Sequence, residues 1–391
     1  MSDLVALPPQ PTGVDWPTEE WPAGDLPPGV DLAPLLDEAF ANDGPLAETF
    51  AVIVVQHGRV IVERYQGALE HFDRPPTRVT ADTPLLSWSM AKSMLHAVVG
   101  LLVGDGLLDL DGPADVAEWC DPDDPRHAIT LRQLLAMRDG LDFVEDYVDE
   151  RISDVIEMLF GAGQDDMAHF AADRPLAAPP GTRFNYSSGT SNIISSVVAG
   201  AVGHGAPYEE YLRARLFGPI GMHSAEPELD PTGTWVASSY VRATARDFAR
   251  FGLLYLRDGN WDGVRLLPAG WVDYGRTVQS VDPEDGPYGA HWWGVEGDAL
   301  GTFRASGYEG QSISLCPALD LVVVRLGKTS AARYPDLTRW RADVVQAFAA
   351  VSPFTRVHRI RRRVISAGPA GFRRMPAGGT SRRATARALP R

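Results

Sequence analysis

Residues 87–94 read SWSMAKSM and place Ser89 and Lys92 three apart in an apolar stretch. In a helix that spacing puts two side chains on one face, about one turn apart. Serine is a weak nucleophile and needs a base within hydrogen-bond reach. Lysine is such a base once apolar neighbours, here Met90, Met94 and Leu95, lower its pKa by desolvation, and the positive end of the helix dipole acts in the same direction. Of 36 Lys plus Arg, only Lys92 and Lys328 are lysine. Arginine stays protonated in proteins, so a lysine at 92 in a chain otherwise committed to arginine points to a cation that must lose its proton.

The pair needs a scaffold to hold it. FAVIVVQ, His57-Gly58 and RVIVERY read as a hairpin, because β-branched runs flank a Gly-containing turn. A short amphipathic helix is predicted at 32–42, and an apolar helix runs from Ser89 to about Val103, closed by Gly104 and Gly106. ITLRQLLAM has helical spacing with Thr130 placed to cap it, and Thr244-Ala245-Arg246-Asp247 reads as a capping box ahead of FARFGLLYL. Late in the chain TFRASG, SISLCP and LVVVRLG read as strands and DLTRWRADVVQAFAA as a terminal helix. Strands at both ends with helices between predict an α+β fold: one antiparallel sheet built from both chain ends and flanked by helices, with an inserted helical domain. The expected organisation is a proline-rich arm over 1–45, with Trp16 and Trp21 available to pin it, then a catalytic domain over 46–352. Within that domain the sheet part covers about 46–88 and 276–352 and the helical insertion about 105–275. A basic tail over 353–391 follows.

Four stretches occur in order: SMAKS, ITLRQLLAMRDGLDF, PPGTRFNYSSGTSN and RASGYEGQ. Together they resemble the β-lactamase-related serine hydrolase superfamily over roughly residues 45–350, and imply its β-lactamase/transpeptidase-like fold. EDYVD at 145–149 and YSSGTSN at 186–192 are most similar to the 6-aminohexanoate-dimer hydrolase branch, the nylon-oligomer hydrolases and related carboxylesterases. The resemblance implies Ser89 as nucleophile, Lys92 as its base, and Tyr186 as the tyrosine that relays a proton between nucleophile and leaving group. Ser188 stands where most relatives have asparagine; a serine there is also what the nylon-oligomer branch shows, and the resemblance implies that it contacts substrate. Tyr147 matches a tyrosine of that branch that contacts the leaving amine. Ala305-Ser306-Gly307 stands where lactamases carry Lys-Thr-Gly, so the N–H of Tyr308 would join that of Ser89 in an oxyanion hole, where each such donor contributes on the order of 3 kcal/mol. Glu309 follows, and would attract an ammonium-bearing substrate if its side chain faces the cleft. Lys328-Thr329-Ser330 is a closer literal match to Lys-Thr-Gly but ends the following strand, so it is read as a surface lysine.

The implied activity is hydrolysis of small esters or amides through an acyl-enzyme. The alternative is a penicillin-recognising protein, a lactamase or D-alanyl-D-alanine peptidase, which the missing lysine at 305 disfavours. Nine histidines lack any metal-binding spacing, so no metal or other cofactor is expected. His96 reads as a core histidine, and the absence of G-x-S-x-G argues against an α/β-hydrolase. Cys120 and Cys316 read as free structural thiols.

Net charge is −15, and residues 353–391 carry 11 arginines and no acid, leaving −26 on the rest. Nucleic acid is an improbable partner for that body; the tail reads as disordered. No apolar run is long enough for a membrane span. The acidic, proline-rich N-terminus lacks the features of a secretory signal, so a cytoplasmic location is expected. The expected partner is a small-molecule ester or amide.

Overall fold

The β-branched runs around His57-Gly58 form the expected hairpin: β1 (Glu48–Gln56) and β2 (Arg59–Tyr65) pair antiparallel, with Gln56 opposite Arg59. His57 (φ 51°) and Gly58 (φ 73°) are both left-handed, as a two-residue turn matching the strand twist requires. Six strands arrive late in the chain: β3 (Ser280–Asp282), β4 (Gly286–Tyr288), β5 (Trp293–Gly294), β6 (Phe303–Gly307), β7 (Gln311–Cys316) and β8 (Leu321–Lys328). The eight form one antiparallel sheet in the order β3-β4-β5-β6-β7-β8-β1-β2. The last strand in sequence therefore pairs with the first, Val54 lying opposite Val323. The fold is α+β and β-lactamase/transpeptidase-like, as the sequence predicts. This computed structural model describes residues 4–147 and 153–353; all but the first residue of the arginine-rich tail lies outside them.

The described helices are α1 (Ala33–Ala39), α2 (Met90–Gly104), α3 (Leu131–Leu135), α4 (Asp154–Phe160), α5 (Met167–Ala172), α6 (Ser188–Val202), α7 (Ala206–Leu212), α8 (Ala245–Leu256), α9 (Trp271–Arg276) and α10 (Tyr334–Ala349). Successive strand residues face opposite sides of a sheet, and β7 shows which helix covers which. Ile313 and Leu315 lie against Gly252 of α8. Ser312, one residue before Ile313 and so on the opposite face, accepts from Arg341 Nε of α10 (3.2 Å). On the α8 side the sheet shares one core with α2 and α6, including Ile53, Val98, Val198, Phe251, Ile313 and Val324. On the α10 side Trp340 is buried and donates its indole N–H to Leu35 O (2.9 Å), tying α1 to α10.

Two local expectations need adjustment. Thr130 and Gln133 make the full reciprocal capping box of α3, but the helix spans only five residues and is followed by Met137 at φ 55°. At α8 Thr244 caps the Asp247 N–H, yet the return bond of a box is missing. The Asp247 carboxylate instead accepts from Ser224 N–H (2.9 Å), Ser224 Oγ (2.6 Å) and Arg250 (2.5 Å), and the Thr244 N–H donates to Ser224 Oγ (2.9 Å). A tertiary neighbour has displaced the local partner. The N-terminal residues lie along the body: the Trp16 ring sits 5.1 Å from that of Trp261, and Trp21 donates to Arg246 O. Among the described residues no helix is long and apolar enough to cross a membrane.

Candidate active site

Ser89 is the N-cap residue of α2, and the turn before it is strained. Trp88 has φ 46°, an uncommon conformation for a bulky residue, and such strain persists only where the surroundings over-determine it. Here the Ser87 N–H donates to Val241 O (2.8 Å), while Ser87 Oγ donates to Trp88 O (2.9 Å) and accepts from the Val241 N–H (3.1 Å). The Trp88 ring packs against Tyr240 and Tyr308 at 6.2 and 5.4 Å.

One turn into α2, Lys92 is 2% exposed. Its Nζ lies 3.1 Å from Ser89 Oγ, 3.0 Å from Ser188 Oγ and 2.9 Å from Ser238 O. Burial lowers its pKa to about 8, against an upward pull from Glu145. An amine of that pKa is a competent proton acceptor near neutral pH.

Tyr186 immediately precedes the N-cap of α6, where Ser187 Oγ accepts from the Thr190 N–H (2.9 Å). Its ring centroid is 4.9 Å from Lys92 Nζ, and its hydroxyl interacts with Ser89. Trp293 and Tyr288 hold the ring at 5.5 and 6.0 Å. Burial pushes the phenol pKa up, so Tyr186 carries its proton. Gly189 of the same motif is required by packing: a Cβ there would stand 2.6 Å from the Phe143 ring and 2.8 Å from Ala171.

The structure adds a residue that sequence reading missed. Glu145 accepts from the Ser188 N–H (2.7 Å) and from Ser188 Oγ (2.6 Å). Burial raises its carboxyl pKa, while Lys92 and Ser188 pull it back. The segment carrying Glu145 is anchored by Asn185 Nδ2, which donates to Leu141 O and Phe143 O, and by Asp139, which accepts from Thr190 Oγ1 (2.7 Å). Glu145 lies in the EDYVD stretch, two residues before Tyr147, but no helix or strand period links position 145 to position 188. Tyr147 stacks on Tyr308 (4.8 Å, 27°), and its hydroxyl interacts with Ser188 and Glu145. Val148 and Asp149 of the motif lie outside the described residues.

Buried polar bonds also lock α2 against α6. Ser93 Oγ donates to His291 O (2.7 Å), His291 Nδ1 donates to Leu135 O (2.9 Å), and Ser191 Oγ donates to His291 Nε2 (3.1 Å). Burial lowers the His291 pKa to about 3, so the ring is neutral.

Gly307 brings β6 onto the Ser89 turn. A Cβ on it would lie 2.4 Å from Ser87 O and 3.1 Å from Trp88 Cβ. That approach delivers Tyr308 beside Trp88 and Tyr147. Neither the Ser89 nor the Tyr308 N–H is taken up by a backbone bond in the described turns and loops.

Ser89, Lys92, Tyr147, Tyr186, Ser188 and Tyr308 thus form one cluster, and Ser188 meets Lys92 and Glu145. Glu309 does not join it. At φ 58° its backbone turns, its N–H donates to Tyr334 OH (3.1 Å), and the charges facing its carboxylate are Lys328, Arg325 and Glu48. The sequence leaves the orientation of Glu309 open; in the structure the left-handed turn sends the side chain toward the end of β8, so the condition for its contact with substrate is not met. Lys328 is exposed, with Nζ 5.7 Å above the Phe50 ring. His96 sits deeper in α2, with Nδ1 2.7 Å from Tyr255 OH and its ring stacked on Trp271. Cys120 and Cys316 are free.

The Beta-lactamase family profile matches residues 44–347. The chain belongs to the Beta-lactamase family. Among relatives, a 6-aminohexanoate-dimer hydrolase of Paenarthrobacter ureafaciens is 28% identical over 334 residues, covering 78% of this chain and 79% of that one. Penicillin-binding protein 4 of Amycolatopsis lactamdurans is 30% identical over 227 residues, covering 49% of this chain and 56% of that one. Among solved structures, one from Bacillus anthracis described as a 6-aminohexanoate-dimer hydrolase superposes with a TM-score of 0.66 at 22% identity, covering 86% of this chain and 89% of that one. At that identity the likeness speaks for the fold, and the hydrolase class of this chain rests on the family match.

Proposed function

We propose that this protein cleaves small esters or amides through an acyl-enzyme on Ser89. The observation that carries the reading is the buried Lys92 amine, 3.1 Å from Ser89 Oγ with its pKa lowered to about 8. Lys92 takes the Ser89 proton as Oγ attacks the carbonyl carbon, and the N–H groups of Ser89 and Tyr308 receive the developing oxyanion. Tyr186, beside both Lys92 and Ser89 and protonated in its buried setting, passes its proton to the leaving group as the carbon–heteroatom bond breaks and takes one in turn from the Lys92 ammonium. Water then attacks the acyl-Ser89 ester, gives its proton back through the same groups, and frees the acid.

Tyr147 stands beside Ser188 and Tyr308, where a hydrogen bond to a departing amine would favour amide substrates. The 28% identical 6-aminohexanoate-dimer hydrolase supports that class. Ala305 is buried and uncharged, which favours neutral acyl groups over the carboxylate of a penicillin.

The test is incubation with p-nitrophenyl esters of graded chain length and with a 6-aminohexanoate dimer, followed by intact-mass analysis. An acyl adduct on wild-type protein that is absent in Ser89→Ala is expected. Turnover that survives Ser89→Ala would overturn the assignment.

A further inference from the structure

Lys92 has one counter-charge within electrostatic reach, and among the described residues it makes no direct ion pair with it. That charge is Glu145. The other groups around Lys92 Nζ are neutral: the Tyr186 ring, the Ser238 carbonyl, the Ser89 hydroxyl, and His291, whose ring is held in the Nδ1–H form by Leu135 O. Tyr147, which meets both Ser188 and Glu145, keeps its phenol proton because burial raises its pKa.

Between Lys92 and Glu145 stands a single hydroxyl. Ser188 Oγ has one proton, and at 2.6 Å the Glu145 carboxylate accepts it. Its lone pairs are thereby left to face Lys92, 3.0 Å away. The amine consequently meets three oxygens, those of Ser89, Ser188 and Ser238, which match the three N–H donors of an ammonium. The arrangement suits the state that Lys92 reaches after taking the Ser89 proton better than it suits the free amine. A catalyst gains from interactions stronger in the transition state than before it.

We infer that Glu145, acting through the oriented Ser188 hydroxyl, is the counter-charge that keeps the buried Lys92 basic and stabilises it as the ammonium formed during attack. This rests on the reading of Ser89 and Lys92 as nucleophile and base. Protons balance without Glu145 changing state: the Ser89 O–H bond breaks as an N–H bond forms on Lys92, Ser188 keeps its proton, and Glu145 stays ionised. Glu145 and Ser188 are positioning residues, and Ser188 is reassigned from the substrate contact expected from sequence to a link behind the base.

Because burial alone depresses an amine and a nearby anion raises it, removing the carboxylate must lower the Lys92 midpoint further. The chain suits a direct measurement, since its two lysines give two side-chain signals and Lys328, exposed at a strand end, serves as reference. Protein labelled with ¹³C-lysine would be titrated by NMR as wild type, Glu145→Gln, Glu145→Asp and Ser188→Ala. pH profiles of kcat/KM on p-nitrophenyl butyrate would be measured in parallel.

The wild-type Lys92 signal is expected to titrate near pH 8. Glu145→Gln should lower the midpoint by about one pH unit or more, Ser188→Ala by less, and Glu145→Asp should restore most of it. The acid limb of kcat/KM should move with the NMR midpoint while its plateau falls roughly tenfold, as a weaker base predicts. A Lys92 midpoint within about 0.3 units of wild type in folded Glu145→Gln overturns the inference. Should that variant fail to fold, an unmoved midpoint in Ser188→Ala does the same. A wild-type protein that never acylates Ser89 sinks the hydrolase reading while leaving the Lys92 shift in place. An acylating protein whose Lys92 midpoint ignores both substitutions sinks this inference alone.

Discussion

Gly307→Ala tests whether the contact between β6 and the Ser89 turn sets the rate. The backbone there is extended, with φ −134°, so alanine brings no backbone strain and the perturbation is the added Cβ alone. That atom would sit 2.4 Å from Ser87 O and 3.1 Å from Trp88 Cβ. Restoring an ordinary contact requires a shift of about 1 Å at the point where the Tyr308 N–H is proposed to face the reacting carbonyl. Misplacement of that size costs roughly a hundredfold in rate, or about 2.7 kcal/mol in barrier. Overpacking itself costs about 1–3 kcal/mol of stability. Gly200→Ala is the control, because a Cβ on Gly200 meets nothing within 4 Å. The assay is kcat/KM on p-nitrophenyl butyrate, with circular dichroism melts to show that both variants fold. A loss near a hundredfold in Gly307→Ala, with Gly200→Ala close to wild type, is expected. A folded Gly307→Ala enzyme within about threefold of wild type would refute the oxyanion role of Tyr308, since it leaves less than about 0.7 kcal/mol for the displaced donor.

Lys92→Arg keeps a positive charge but cannot deprotonate, so kcat should fall below a tenth of wild type, a barrier raised by more than about 1.4 kcal/mol; a smaller loss in steady-state kinetics removes Lys92 as the base. In the wild type kcat/KM should rise with pH through about 8, because Lys92 is inactive while protonated and its pKa lies there, and a profile flat from pH 6 to 9 contradicts this. Tyr147→Phe should reduce hydrolysis of an amide far more than that of a p-nitrophenyl ester, since a phenolate leaves unaided and an amine does not; equal losses return Tyr147 to packing. Glu309→Gln should leave the ratio of kcat/KM for neutral and amine-terminated esters unchanged, because its carboxylate faces Lys328 and Arg325; a lost preference for the amine would place Glu309 in the cleft.

Local rules were enough to read the parts of this chain whose geometry is set by near neighbours. The period of a helix puts Lys92 beneath Ser89, alternating β-branched residues around His57-Gly58 specify the hairpin, and Thr130 with Gln133 specifies the α3 cap. The ordered motifs brought Tyr186, Tyr147, Ser188 and Tyr308 into one expected site because each lies in a stretch that the family resemblance covers. The Thr244 cap shows where such reasoning stops, since Ser224 competes for Asp247 from another part of the chain and wins.

The same limit governs the chemistry. Sequence alone determined that position 92 holds an amine able to lose its proton; it did not determine how basic that amine is. Its pKa depends on the burial of α2 and on the charge of Glu145, while its place is held in part by the Ser238 carbonyl, which lies 146 residues away along the chain. Glu309 went the other way, because one left-handed residue after Tyr308 redirects its side chain to β8. Desolvation and charge–charge interaction act through space, and only the packed structure decides which groups lie a few ångströms apart.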